Sequence, residues 1–72
     1  MTFEQMRDIA KDRMDRQIKF FSRNVISSDE VHATLLSYKC IDLFTDGEYW
    51  DFIFRIRDAR LIRDARLNKK VD

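Results

Sequence analysis

The sequence predicts an all-α fold, a small three-helix bundle, on three observations. Residues that make tight turns are scarce, since the 72-residue chain has no Pro and a single Gly. β domains need many such turns, built on residues that tolerate φ > 0. Punctuation is confined to two places, residues 24–29 and Thr45-Asp46-Gly47, which leaves three segments. Each segment opens on a capping pattern, and its apolar residues suit a helix, along one face in the first, on two sides in the third and round most of the circumference in the second. The expected helices cover about residues 3–23, 29–44 and 48–68, run up-down-up and are joined by two short loops.

The first segment opens on Thr2 with Gln5 three residues on, a capping box. At 100° per residue Phe3, Met6, Ala10, Met14, Gln17 and Phe21 share a face, with Ile9, Ile18 and Phe20 at its shoulders. The opposite stripe carries Glu4, Asp8, Asp12 and Asp15, with Arg7, Lys11, Arg16 and Lys19 at helical spacing. This stripe reads as a solvated, salt-laced outer face. Arg13 and Gln17 interrupt the apolar face and need polar partners, which a second chain would supply.

The second segment follows Ser27-Ser28-Asp29-Glu30, again a capping-box pattern with acids in the first turn. Its apolar residues, from Val31 to Phe44, cover most of the helical circumference. A helix apolar nearly all round is expected to be buried on more than one side, as the middle helix or against a second copy.

In the third segment Thr45 or Asp46 serves as cap. Residues 49–54 would pass for a strand, but strong helix formers follow without a break. Tyr49, Phe52, Ile53 and Ile56 occupy one side, and Trp50, Phe54, Leu61 and Ala65 another. Residues 69–72 are expected to fray. The hexapeptide Ile-Arg-Asp-Ala-Arg-Leu occurs at 56–61 and again at 62–67. Six residues turn a helix by about 600°, so the second copy presents a different face from the first. The repeat reads as a local duplication tolerated on a helix.

Composition narrows the function classes. The chain is 44% apolar and 38% charged, with a net charge of +1, so it is neither a disordered chain nor one whose overall field selects nucleic acid or a membrane. Its longest apolar run, Phe52-Ile53-Phe54, is far shorter than a membrane span or a signal-peptide core. The expectation is one helical domain, 1–72, without membrane association. A chain of this size buries roughly 60% of its unfolded surface, so a lone core is marginal and completion by dimerisation or by a partner is favoured. Cys40 is the sole cysteine, which agrees with a reducing cytoplasm, and it is expected to be a small buried hydrophobe.

No metal or cofactor is expected. His32 and Cys40 stand alone, no zinc or calcium pattern occurs, and a phosphate-binding glycine loop cannot be built from one Gly. No nucleophile, base and orienting acid are brought together by spacing, so neither an enzyme nor a small-molecule substrate is expected.

The charge is uneven, however. Residues 55–70 hold seven bases and two acids, and Arg55, Arg63, Arg66 and Lys70 fall in one sector of the helix. Bases near a helix C-terminus complement the macrodipole, and Arg also suits bidentate contacts to carboxylate or phosphate. Two readings follow. The favoured one is a non-enzymatic interaction module, a regulator, adaptor or inhibitor of a protein partner or a homodimer, docking through Trp50, Phe54, Arg55, Arg63 and Arg66. The alternative is nucleic-acid binding, with Arg55, Arg63, Arg66 and Lys70 on phosphates.

Overall fold

A computed structural model describes residues 1–71, with side chains described as far as Asn68. It contains three helices packed on one another: α1 (Phe3–Ser22), α2 (Ser28–Cys40) and α3 (Asp46–Val71). α3 runs past the expected end at 68, whereas Asp72 and the side chains of residues 69–72, that of Lys70 among them, lie outside the described positions. Among the described residues, no helix is long and apolar enough to cross a membrane.

Each helix starts where side-chain oxygens can occupy the free amides of a first turn. Thr2 and Gln5 form a reciprocal capping box. Ser27 Oγ accepts from the Glu30 amide. Thr45, not Asp46, caps α3: its hydroxyl accepts from the Glu48 amide at 3.2 Å, and the Glu48 carboxylate accepts from the Thr45 amide at 2.9 Å.

The stops differ from expectation. α1 and α2 both end in a Schellman motif, with Asn24 (φ 62°) and Asp42 (φ 60°) in the left-handed region. At the second stop the Asp42 amide donates to the Lys39 carbonyl and the Leu43 amide to the Tyr38 carbonyl. The second helix therefore ends at Cys40 instead of continuing to 44, because Asp, like Asn, tolerates this conformation. Gly47, expected within the break, sits in the first turn of α3 with negative φ.

Releasing Leu43 and Phe44 from the helix lets both side chains turn inward. The Phe44 ring meets Tyr38 of α2 edge-on at 5.6 Å and Phe52 of α3 at 5.0 Å. The core is Ala10, Met14, Ile18 and Phe21 from α1, Val31 and Leu35 from α2, Leu43 and Phe44 from the connection, and Phe52, Ile56 and Ala59 from α3.

Cross-helix partners rise together along α1 and α3: Arg7 with Glu48, Asp15 with Arg55, Phe21 with Arg63. These two helices are parallel, and α2 returns between them as the short connections require. Phe3 and Met6, expected in the core face, are exposed. The reason is register: α3 begins level with Arg7, so the first turn of α1 has no neighbour. α2 buries one side only, through Val31 and Leu35, while Leu36, Cys40 and Ile41 face outward. Cys40 is thus a surface thiol and not a core residue.

Candidate docking face

α3 is apolar on two opposite sides. Its inner side carries Phe52, Ile56 and Ala59, none more than 5% exposed. Half a turn away stand Trp50, Phe54 and Leu61, exposed to 55%, 56% and 68%. Steps of four and seven residues keep these three within about 40° of one another, in a stripe about 16 Å long. Tyr49 braces the indole of Trp50 edge-on at 5.6 Å. The hexapeptide repeat shows its rotation here: Ile56 and Ala59 are buried, while Ile62 and Ala65 are exposed.

The basic sector lies elsewhere. Arg55 faces α1, where it binds Asp15 at 2.7 Å and covers the Phe52 ring at 5.2 Å. Arg63 lies over the Phe21 ring at 4.8 Å, and its Nε is buried without a hydrogen-bond partner. Guanidinium stacking of this kind contributes about 0.5–2 kcal/mol, rising with desolvation. Arg66 is exposed. The structure thus brings Trp50 and Phe54 together on the outer face and sets Arg55 and Arg63 on the side turned to α1. Leu61 completes the outer stripe and was missing from the expected docking set, although its spacing from Trp50 and Phe54 was the available signal.

Charge is also concentrated where α1 meets the start of α3. Arg7 and Lys11, expected to pair along α1, instead reach Glu48 at 2.6 and 2.8 Å. Asp15, likewise expected to pair locally, serves Arg55. Of the four expected pairs along α1, Asp12 with Arg16 is the one formed among the described residues. The Lys11 ammonium, the Thr45 amide and the Arg7 guanidinium hold the Glu48 carboxyl down to about 2, against partial burial that acts the other way. Across the α2–α3 connection Lys39 binds Asp46 at 2.7 Å, which raises the lysine and lowers the aspartate from their ordinary values.

An open groove of about 640 Å3 runs between α1 and the start of α2, lined by Ile9, Arg13, Gln17, Phe20, Ile26 and Glu30 among others. Gln17 Oε1 is buried there without a partner. His32 is a surface residue whose Nδ1 lies 2.8 Å from the Ser28 carbonyl. Among the described residues no group of three metal-ligating side chains comes together. No protein family, curated protein or solved structure matches this chain.

Proposed function

We propose that the protein is a non-enzymatic interaction module, a regulator, adaptor or inhibitor acting in the cytoplasm, that docks through the outer face of α3. The observation that carries this reading is the stripe of Trp50, Phe54 and Leu61, each more than half exposed and opposite the core. Large apolar side chains scattered singly on a surface need no explanation, whereas three aligned along one helix face do. Trp is among the residues that dominate binding energy when a partner desolvates them. Arg57 and Asp58 lie along the same face and would set register at the rim. Phosphate binding by Arg55, Arg63, Arg66 and Lys70 has less support, because the first two already serve α1.

The test compares the wild-type chain with Trp50→Ser/Phe54→Ser/Leu61→Ser as bait in cross-linking capture. Because the three residues are exposed, the variant keeps its helical circular dichroism and loses the stripe-dependent partner. Identical capture by both baits would overturn the reading. A shift of labelled DNA or RNA by the wild-type chain, weakening steeply with salt, would favour the alternative.

A further inference from the structure

We propose that the occupant of the α3 outer face is a second copy of this chain, its α3 packed antiparallel to the first. The inference rests on that face being a docking surface and adds the identity of the partner.

The first support is area. The chain exposes 5352 Å2 at a mass of 8.8 kDa. A folded monomer of that mass exposes about 4,800 Å2 by the size scaling of compact proteins. The excess, roughly 600 Å2, is surface that a compact chain of this mass would not leave open, and a standard interface removes ~800 Å2 from each partner.

The second support is shape. The molecule measures 50 × 20 × 15 Å, because α3 outruns its neighbours. α1 ends at Ser22, one residue past the Phe21 ring on which Arg63 stacks, whereas α3 runs on to Val71. The eight further residues make an arm about 12 Å long with no helix of its own chain beside it. An antiparallel neighbour would cover this arm with the Trp50–Phe54 end of its own stripe.

The third support is charge. Arg57 and Asp64 lie on the same edge of the stripe, seven residues or about 10 Å apart along the axis. A two-fold axis perpendicular to two antiparallel helices brings like edges together, an isologous contact. When the axis passes midway between residues 57 and 64, Arg57 of each copy meets Asp64 of the other, twice. Leu61 then sits beside the axis against Leu61 of the second copy, with Phe54 towards Ala65. Among the described residues Arg57 is exposed, and Asp64 is held by a 3.4 Å contact to its neighbour Arg63.

Sedimentation equilibrium of the full chain, carried to about 1 mM, should show the mass rising from 8.8 kDa towards twice that value. Leu61→Arg, which sets like charges on the axis, should abolish association with helicity intact. Arg57→Asp and Asp64→Arg should each weaken the dimer by about tenfold, and the double variant should restore it. A monomer throughout the range overturns the homodimer, while the interaction reading then stands or falls on stripe-dependent capture. A dimer indifferent to Leu61→Arg places the contact elsewhere. Dissociation by Leu61→Arg without rescue by the double variant overturns the antiparallel register.

Discussion

Arg7 Nη2 donates to both carboxylate oxygens of Glu48, at 2.6 and 2.7 Å, and its Nε donates to the Leu43 carbonyl at 3.1 Å. One guanidinium thereby ties α1 to the middle of the α2–α3 connection and to the first turn of α3. Glu48 also closes the capping box with Thr45 and receives Lys11. The side chains are partly shielded, at 30% and 23% exposure, so these charge-assisted bonds are screened less than a surface pair would be.

Glu48→Ala should therefore destabilise the fold by about 2 kcal/mol, combining loss of a cap with loss of a charged acceptor facing two bases. Glu48→Gln, which still accepts from the Thr45 amide, should cost about half as much. Thermal unfolding reads the difference directly, since about 1 kcal/mol moves the midpoint of a domain this small by roughly 4–8 °C. Equal midpoints for wild type and Glu48→Ala would show that the cluster contributes nothing net.

The same cluster sets an acid limit. The Glu48 carboxyl is lowered from 4.5 to about 2, so the folded state binds its proton less readily than the unfolded state does. The stabilisation is complete above pH 4.5 and is lost as pH falls towards 2. The stability gap between wild type and Glu48→Gln should hold from neutral pH to about pH 5 and narrow steadily below it. A gap that stays constant down to pH 2 would assign the effect of the substitution to packing instead of charge.

Asp42 is the stop signal for α2, and its φ of 60° strains any residue with a Cβ. Asp42→Gly should stabilise the fold by about 0.5 kcal/mol, while Asp42→Ala should cost about 1 kcal/mol. Urea titration with an unchanged slope is the appropriate readout. Two residues on, Phe44→Ala should cost about 3–5 kcal/mol, because its ring joins Tyr38 of α2 to Phe52 of α3 and its loss opens a cavity between them.

Phe52 and Phe54 make the sharpest contrast on one helix. Phe52→Ser places an unpartnered hydroxyl in the core and should unfold much of the population, a loss of about 4 kcal/mol. Phe54→Ser should change the midpoint by no more than a few degrees while weakening association. If Phe54→Ser is as damaging as Phe52→Ser, the outer stripe is part of the folding core and no docking face exists there.

The helices and their caps were legible in the sequence because capping is local: Thr2 with Gln5, Ser27 with Glu30 and Thr45 with Glu48 are pairs three residues apart. The stop at Cys40 was not, since Asp42 interrupts an otherwise continuous apolar pattern. The stop that Asp42 allows becomes decisive in three dimensions, where Phe44 packs between Tyr38 and Phe52. The basic sector of α3 has a related origin. Arg55 and Arg63 cluster on a helical wheel because that side faces α1, where Asp15 and the Phe21 ring receive them. A wheel shows which residues share a side without showing which side is inward. Trp50 with Phe54 and Phe52 with Ile56 were equivalent until packing chose Phe52, whose ring fits against Phe44.

Gln17 offers the last test, and it bears on how the groove between α1 and α2 contributes to stability. Its Oε1 is buried without a hydrogen-bond partner, on a face otherwise made of Ala10, Met14 and Phe21. An acceptor withdrawn from water and left unpaired costs about 1–3 kcal/mol, whereas an apolar side chain of similar length incurs no such penalty. Gln17→Met keeps the volume and adds flexibility suited to an irregular gap. The variant should therefore be more stable than wild type by about 1 kcal/mol, seen as a rise of several degrees in the thermal midpoint. The dimer proposed on α3 uses the opposite part of the molecule, so its dissociation constant should not move. A fall in stability would mean that the amide is satisfied in solution, and a weakened dimer would place Gln17 at the interface.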